Sequence, residues 1–274
     1  MWLASNSGPF EQINLRVEMP ALCGLKVLHI SDLHFAPGQT KKQGFLRDLA
    51  QLQPDLVVNT GDSLGHKDAI SPALHALEPL MEFAGVFVHG SNDYRAPKPK
   101  NPFAYLASPS KVSAPPNLDT ERFSTELEGH GWLNLNNASG SLKIKGKRLG
   151  FLGLDDPHEN LDDLDSLSTQ KAELGDTDYL FGVAHAPYMR VIESFVGAGV
   201  GMMFAGHTHG GQICLPWQKA LVTNCDLDRE YASGLSAWGA ESEMLLHVSQ
   251  GAGHSIYAPL RLFCPPAATL IEFV

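Results

Sequence analysis

Apolar runs rich in β-branched residues alternate along this chain with segments that repeat with the period of a helix. Strands are predicted, in residue numbers, at 25–30, 55–59, 85–88, 149–154, 179–184, 200–204, 245–248 and 269–273. Helices are predicted at 41–52, 72–83, 122–128 and 187–196. Strands that alternate with helices favour an α/β fold with a largely buried sheet. Because little helix lies between the later strands, we expect a second, partly antiparallel sheet packed on the first.

The chain is long enough for one large α/β domain or two small ones, with 274 residues of which 43% are hydrophobic and 18% charged. Neither an internal repeat nor a linker divides it, so we predict a single domain, residues 1–274, whose motif-bearing core starts near residue 25. The net charge of −10 disfavours nucleic acid as a partner, since binding to phosphates without sequence preference depends on Lys and Arg. A bound metal can still supply the positive charge that a phosphate substrate needs.

The first residues, Met1–Ser7, lack the basic start and the apolar stretch of a signal peptide. No run approaches the roughly 20 apolar residues of a membrane span. We therefore expect a soluble cytoplasmic protein, with peripheral contact with a membrane left open. The four cysteines are far apart and form no CxxC motif, which favours buried or free thiols over a disulfide or a metal role.

The segment Phe204–Gln212, with the sequence FAGHTHGGQ, ends an apolar run with two histidines and a double glycine. This arrangement predicts a buried strand that runs into a tight loop and holds His207 and His209 at its end. Alone, such a pair of imidazoles is a moderate signal for a metal site. The signal becomes strong because four other apolar strands also run into loops that carry Asp, Asn or His.

Asp32 and His34 follow the first predicted strand. Residues two apart on an extended backbone point to the same side, so this pair is suited to hold one ion. Asp62 follows the next strand directly after Gly61, which permits a sharp exit. A carboxylate has two oxygens, which makes Asp62 the candidate bridge between two cations. Each of these loops, taken alone, also fits an ordinary turn or a helix cap.

Asn92 and His185 add candidate ligands at two further strand ends, a neutral carbonyl oxygen and an imidazole. The spacing of the first loops is regular, because 30 residues separate Asp32 from Asp62 and another 30 separate Asp62 from Asn92. One strand–helix–strand unit fits each interval. The loops should therefore share the carboxyl edge of one sheet, where α/β proteins bind their ligands.

The strand-end loops together supply seven candidate metal ligands: Asp32, His34, Asp62, Asn92, His185, His207 and His209. Seven ligands suit two ions that share one carboxylate and keep open positions for water and phosphate. Mixed oxygen and nitrogen donors favour Mn, Fe or Zn over Mg or Ca. The predicted cofactor is therefore a pair of divalent Mn, Fe or Zn ions.

The order of these motifs resembles that of the calcineurin-like metallophosphoesterase superfamily, D-x-H, G-D, G-N-H-D, H and G-H-x-H. The matching segments are 32–34, 61–62, the altered 90–93, His185 and 206–209. The form GHTHGGQ is similar to the bacterial branch that contains small phosphodiesterases and UDP-2,3-diacylglucosamine hydrolase-like proteins. Segments 90–94 and 221–225 are similar to actinobacterial members. The resemblance implies two packed mixed β-sheets flanked by helices, with the site at the strand ends.

The resemblance also implies how the ligands divide. One ion would take Asp32, His34, Asp62 and His209, and the other would take Asp62, the motif Asn, His185 and His207. The predicted catalytic residues are Asp62, Asn92 and His207. The implied activity is hydrolysis of a phosphodiester or phosphomonoester by a metal-activated water, with a small phosphoester, nucleotide or lipid-linked, as the substrate.

The segment 90–93 departs from the family pattern, because it reads Gly-Ser-Asn-Asp where the family has Gly-Asn-His-Asp. Direct alignment puts Ser91 on the ligand Asn and Asn92 on the catalytic His, whereas a local shift makes Asn92 the ligand. We favour Asn92, since a serine hydroxyl is a poor neutral ligand. In both alignments the family's His that polarises the phosphate or protonates the leaving group is missing. We therefore expect turnover to favour good leaving groups.

His89 and His254 are candidates to replace that histidine, and His254 and Arg261 in the Gly-rich C-terminal loop are candidate substrate contacts. Each of the three also fits a structural role. His158 is a candidate to line the cleft. The Pro- and Lys-rich segment 95–119 is predicted to be a surface loop beside the site, and the acidic segment 156–174 a second excursion.

Two other functions stay open at this point. One is a metal-binding scaffold of the same fold that has lost turnover through its altered 90–93 loop. The other is a nuclease, which the acidic charge and the lack of a basic stripe disfavour.

Overall fold

Two six-stranded sheets lie at the centre of the chain in a computed structural model that describes residues 3–4, 8–98, 115–216, 219–240 and 244–274. The first sheet contains, in spatial order, β2 (Glu11–Val17), β16 (Ala267–Phe273), β3 (Lys26–Ile30), β4 (Leu56–Asn59), β5 (Gly85–Phe87) and β6 (Leu133–Asn134). Neighbouring strands in it are parallel, except that β16 runs antiparallel to β3.

The second sheet is also mixed. It contains, in spatial order, β13 (Gly234–Trp238), β14 (Met244–Val248), β10 (Met202–Ala205), β9 (Tyr179–Val183), β8 (Lys147–Gly153) and β7 (Ser139–Ile144). Its central strands are parallel, and β13 and β7 are antiparallel to their neighbours. Two short pairs lie outside the sheets: β1 (Leu3–Ala4) with β15 (Arg261–Leu262), and β11 (Cys214–Leu215) with β12 (Lys219–Ala220).

Helices cover the outer face of each sheet. On the first sheet lie α1 (Thr40–Asp48), α2 (Ile70–Leu77) and α4 (Thr120–Gly129), and on the second lie α5 (Ser166–Leu174) and α6 (Met189–Gly197). A single turn, α3 (Ser91–Tyr94), follows β5, and 3-10 turns cover Pro20–Leu22, Leu49–Leu52, His209–Gly211 and Arg229–Tyr231. In the described part of the chain, every helix is too short or too polar to cross a membrane.

The main core fills the space between the two sheets. Val27, Val58 and Val86 of the first sheet pack here with Phe181 and Phe204 of the second, and all are fully buried. A side chain of this size contributes about 1.5–3 kcal/mol when it leaves water. Because helices cover the other faces, the central strands are apolar on both sides, which explains their unbroken hydrophobic runs.

One polar contact joins the two sheets through this core. His29 of β3 and His247 of β14 place their Nδ1 atoms 2.7 Å apart, and His29 Nε2 lies 2.9 Å from Thr60 Oγ1. Burial lowers the pKa of both rings, that of His247 to about 4. Both rings are therefore neutral at pH 7, so one Nδ1 donates and the other accepts.

The architecture confirms the predicted α/β fold with two packed mixed sheets, and every predicted strand is present. The strands at the four sheet edges, β2, β6, β7 and β13, were not predicted, and most of their residues are partly exposed. The acidic segment 156–174 also holds helix α5, which the sequence analysis treated as irregular. Most of the predicted 95–119 loop lies outside the described residues, which lack 99–114.

Candidate metal centre

The loops predicted to carry the ligands meet at one edge of the packed sheets. In the first sheet, Ile30 pairs with Asn59 and Asn59 with Phe87, so the carboxyl ends of β3, β4 and β5 lie together. In the second sheet, β9 and β10 are likewise parallel neighbours. The loops that follow these strands carry, in chain order, Asp32, His34, Asp62, Asn92, His185, His207 and His209.

Asp32, His34 and His209 form one candidate metal site, since each offers a ligand atom within 4.8 Å of the others. His34 Nε2 lies 3.2 Å from His209 Nε2, and His209 Nε2 lies 3.6 Å from Asp32 Oδ1. His209 Nδ1 lies 3.1 Å from the Gly253 carbonyl oxygen and 3.0 Å from Arg261 Nη2. These contacts hold the ring so that Nε2 of His209 faces the other two ligands, an arrangement that suits a cation.

Asp32, Asp62 and His185 form a second group with ligand atoms within 4.8 Å of one another. Asp62 Oδ2 lies 3.6 Å from His185 Nε2 and 3.4 Å from His34 Nε2, so this oxygen lies between the imidazoles of the two groups. His185 Nδ1 donates to the Thr60 carbonyl oxygen at 2.7 Å. Its Nε2 is buried and has no hydrogen-bond partner among the described residues. A divalent ion between these carboxylates would satisfy that nitrogen.

His207 supports the centre through its backbone and lines it with its ring. Its N–H donates to Asp32 Oδ2 at 3.0 Å, and its ring centroid lies 5.2 Å from that of His185. Its Nε2 lies 3.3 Å from the Asn224 carbonyl oxygen and 3.4 Å from Asn224 Nδ2. In the described part of the chain, His207 belongs to neither close ligand group, so its metal contact stays a prediction.

Asn92 lies against Asp62 in the first turn of α3. Its backbone N–H donates to Asp62 Oδ1 at 2.8 Å, and its Nδ2 donates to Asp62 Oδ2 at 2.7 Å. Ser91 Oγ lies 3.5 Å from the same Nδ2. A half-turn of the amide exchanges nitrogen and oxygen, so Asn92 has an oxygen ligand available at this position. The choice between Ser91 and Asn92 stays a prediction.

The ligand loops have left-handed backbone conformations at five non-glycine residues. The φ angle is 51° at Asp32, 42° at His34, 53° at Asp62, 70° at His207 and 51° at His209. Such conformations are sparsely populated outside glycine and cost about 1 kcal/mol or more each. The extended backbone expected at Asp32 and His34 is therefore incorrect, although both side chains still reach one ligand group. Strain concentrated in this way is typical of functional sites.

Burial keeps three of the imidazoles neutral. It lowers the pKa of His34, His207 and His209 well below the ordinary value, and neighbouring cations or imidazoles add to the effect. Neutral imidazole is the form that binds metal. Burial acts in the opposite direction on the acids, raising the pKa of Asp32 and raising that of Asp62 to about 7.

His185 is the exception among the histidines. Burial alone would lower its pKa, but the carboxylates of Asp62, Asp32 and Asp156 outweigh burial and raise the pKa to about 9. The metal-free centre therefore holds a proton at His185 at neutral pH. A metal ion must displace this proton to use Nε2.

Metal affinity is therefore expected to increase with pH. Below the His185 pKa of about 9, each ion bound through His185 releases one proton, so its affinity should rise roughly tenfold per pH unit from pH 7 to 8.5. Below pH 7 the dependence should steepen, because Asp62, with a pKa of about 7, also holds a proton. Calorimetric titration with Mn in two buffers of different ionisation enthalpy measures the metal affinity and the number of protons released. An affinity that does not change between pH 7 and 8.5 would contradict this proton competition.

Two buried cations hold the ligand loops from behind. Lys42 of α1 is fully buried and donates from Nζ to the Leu33 carbonyl oxygen at 2.6 Å. Arg261 is also fully buried and donates to the carbonyl oxygens of Gln250 at 2.8 Å, Gly253 at 2.5 Å and His209 at 3.3 Å. The structure thus places Arg261 behind His209, where it secures the backbone of a ligand loop.

Arg261→Lys is expected to lower the free energy of unfolding by about 2–3 kcal/mol, because one ammonium cannot serve carbonyls that the guanidinium fork reaches together. Urea unfolding of the two proteins measures the difference. Arg16→Lys, at an exposed position of β2, is the matched control and should leave the midpoint unchanged. Equal midpoints for the Arg261 variant and the wild type would contradict the supporting role.

The other candidate substrate residues lie away from open solvent. His89 is buried, with Nε2 2.8 Å from Ser124 Oγ of α4, and its ring packs near Phe87 and Tyr94. His254 is fully buried. His158 is partly exposed and lies at the edge of the centre, with its ring centroid 4.5 Å from that of His207.

Ser31, Thr60 and Lys42 support the ligand loops and were not predicted from the sequence. Ser31 donates from Oγ to Asp32 Oδ2 at 2.7 Å, and the carbonyl of Thr60 fixes the tautomer of His185. Lys42 stands in the polar sequence TKKQG, which reads as an exposed helix face. Adjacency to the ligands was the only available signal for Ser31 and Thr60, and the sequence carries none for Lys42.

The sequence profile of the calcineurin-like phosphoesterase family matches residues 25–211, which contain every predicted metal ligand. The uncharacterized metallophosphoesterase YkoQ of Bacillus subtilis (strain 168) is 28% identical over 74% of this chain and 68% of YkoQ. UDP-2,3-diacylglucosamine pyrophosphatase LpxG of Chlamydia trachomatis is 27% identical over 94% of this chain and 86% of LpxG. Among solved structures, TT1561 of Thermus thermophilus has a TM-score of 0.49 at 12% identity, covering 84% of this chain and 90% of that one.

Proposed function

The chain belongs to the calcineurin-like phosphoesterase family, and on that premise we propose that it hydrolyses a small phosphoester whose leaving group is a stable anion. Hydrolysis of a phosphoester is the activity of the family. A pair of divalent ions fits the donor set, in which neutral imidazoles face buried carboxylates. The observation that carries the proposal is the position of Asp62 Oδ2, 3.4 Å from His34 Nε2 and 3.6 Å from His185 Nε2.

The proposed ligand sets are those that the family resemblance implies. Asp32, His34, Asp62 and His209 hold one ion, and Asp62, Asn92, His185 and His207 hold the other. Asp32 is the acid common to both close groups. We propose Asp62 as the bridge, because its Oδ2 lies 3.4 Å from His34 Nε2 and 3.6 Å from His185 Nε2. We propose Mn, Fe or Zn as the metals, since Mg and Ca select oxygen ligands.

Bound ions would lower the pKa of a coordinated water and neutralise the phosphoryl oxygens. The residues of the chain position these groups. The carbonyl of Thr60 holds His185 in the tautomer that binds metal, Gly253 and Arg261 hold the ring of His209, and the left-handed backbone aims Asp32 and His34 at one point. Burial of the ligands excludes bulk water and strengthens each electrostatic contact.

The substrate class follows from what the 90–93 loop lacks. With Asn92 in the place of the family's His, the chain offers no imidazole there to protonate a leaving oxygen. We therefore propose a diester or a phosphoanhydride, nucleotide or lipid-linked, whose leaving group is stable as an anion. The name of the relative LpxG, a UDP-2,3-diacylglucosamine pyrophosphatase, supports the anhydride class, because phosphate is such a leaving group.

The test compares leaving groups on the Mn-loaded protein. Bis(p-nitrophenyl) phosphate and a nucleoside diphosphate sugar should be hydrolysed, whereas a diester with an alkyl leaving group should react far more slowly. The same protein after chelation with EDTA is the control. Two bound ions without hydrolysis of any of these compounds would indicate a metal-binding scaffold instead, and a chain that binds no divalent ion would contradict the proposal outright.

The choice between Ser91 and Asn92 as the ligand has its own prediction. Asn92→Ala should weaken the affinity for the ion held with His185 by at least about tenfold, because it removes the amide beside Asp62 whose oxygen is the proposed ligand. Ser91→Ala is the matched control and should change the affinity by less than about twofold. Calorimetric titration with Mn measures both. The reverse order of effects would show that Ser91 takes the ligand position.

A further inference from the structure

Asp156 lies where the loop after β8 approaches the metal centre. β8 and β9 are parallel neighbours with Gly153 beside Val183, so Asp156 and His185 leave adjacent strand ends. Asp156 is fully buried. It matches none of the family motifs, and no ligand set described above includes it.

One oxygen of Asp156 is satisfied and the other is not. Oδ1 accepts the backbone N–H of His158 at 2.9 Å. Oδ2 is buried and has no hydrogen-bond partner among the described residues. An unpartnered buried carboxylate oxygen is costly and calls for a specific explanation.

The nearby hydroxyl groups do not supply the missing donor, because they have other partners. Tyr94 donates its hydroxyl to Asp155 Oδ1 at 2.6 Å, and the Tyr188 hydroxyl lies 2.9 Å from His158 Nδ1. Asp155 also receives the backbone N–H of Asp156 at 2.7 Å. The two adjacent acids therefore differ: Asp155 receives two donors from the chain, whereas Asp156 receives one at Oδ1 and its buried Oδ2 receives none.

The negative charge of Asp156 acts on His185 at the metal centre. Its charge is one of three that raise the pKa of His185, and His185 in turn opposes the rise that burial causes in the pKa of Asp156. At the metal centre, His185 Nε2 and His34 Nδ1 are also buried without a hydrogen-bond partner among the described residues.

We propose that Asp156 is an outer-sphere anchor for the ion held by Asp62 and His185, through a water on that ion. A direct contact is not proposed, since in the described part of the chain Asp156 is absent from the groups whose ligand atoms lie within 4.8 Å. A donor from outside the chain would satisfy Oδ2, and a third carboxylate would add negative charge beside the ion. This inference rests on the proposed dinuclear site.

The test measures metal binding and the stability of the metal-free protein, so it does not depend on turnover. In wild type, calorimetry at pH 7.5 should show two Mn per chain. Asp156→Asn should weaken the ion held with His185 at least tenfold. Without metal, the same variant should melt at the wild-type temperature or above it, because it replaces a buried carboxylate whose Oδ2 has no hydrogen-bond donor. Asp155→Asn is the matched control and should lower the melting temperature of the metal-free protein while changing Mn affinity less than about twofold.

A purely structural Asp156 would give the opposite pattern. Asp156→Asn would then have a lower melting temperature without metal and would bind Mn as the wild type does. This result would overturn the inference but would still support the dinuclear site. Asp156→Ser serves as a second variant, and failure of both variants to fold without metal would also overturn it. If wild type itself binds no Mn, the proposed function fails together with the inference.

Discussion

Asp62→Asn is expected to abolish binding of both divalent ions and to reduce hydrolysis by more than about 10³-fold. The reason is the position of Asp62 Oδ2, which lies between His34 Nε2 and His185 Nε2 at 3.4 Å and 3.6 Å. An amide keeps the shape of the side chain but removes the negative charge that two cations would share. Elemental analysis of metal per chain, with p-nitrophenyl diester hydrolysis, measures both effects.

Two control variants make this experiment specific. Asp32→Asn should release the ion held with His34 and His209 and retain the other, because Asp32 offers the centre mainly its Oδ1 atom. Asp68→Asn, at an exposed acid beside His66, should change neither metal content nor rate. Full metal content in the Asp62 variant would contradict its bridging role, and equal loss in the Asp32 and Asp62 variants would mean that both acids are shared.

Gly206→Ala is expected to reduce hydrolysis by about 100-fold or more. A Cβ atom at Gly206 would lie 1.9 Å from Ser31 Oγ and 2.6 Å from Asp32 Oδ2, so the Ser31 hydroxyl and the carboxylate it supports must move. Displacement of a positioned group by about 1 Å is enough for a loss of this size. The occupancy of the ion held with Asp32 should fall as well.

Gly197→Ala is the matched control for that substitution. Gly197 ends α6, and nothing lies within 4 Å of a Cβ atom built there. The change should leave the rate unaltered and should stabilise the helix by about 0.5–1 kcal/mol. Normal rate and metal content in Gly206→Ala, measured in the same assay, would mean that the ligand loops adjust freely, which would contradict a rigid centre.

Much of the fold could be predicted because buried strands have a clear hydrophobic pattern in the sequence. The central strands are covered on both faces, so β9 and β10 are apolar throughout, and β3 and β4 are mostly apolar. Edge strands have a weaker hydrophobic pattern, and in β2 partly buried and exposed residues alternate. Helix α5 was missed for a related reason, since its sequence SLSTQKAEL has few apolar residues and no marked amphipathic face.

The ligands could be predicted from their place at strand ends, but the details of the centre could not. Left-handed conformations at Asp32 and His34 depend on contacts with distant loops, such as the hydrogen bond from Asp32 N to the Gly61 carbonyl oxygen. Arg261 was predicted as a candidate substrate contact, but its side chain is fully buried and donates hydrogen bonds to three backbone carbonyl oxygens. Such partners lie far apart in sequence, and no local pattern encodes them.

The two halves of the centre come from different sheets. Asp32, His34, Asp62 and Asn92 follow strands of the first sheet, whereas His185, His207 and His209 follow strands of the second. Any cation held by Asp62 and His185 together would join the two layers, which also contact each other through apolar side chains, the His29–His247 pair and the hydrogen bond from His185 Nδ1 to the Thr60 carbonyl oxygen. Removal of the ions by a chelator should therefore weaken the contact between the two sheets. Catalytic activity and the stability of the core would then decrease together.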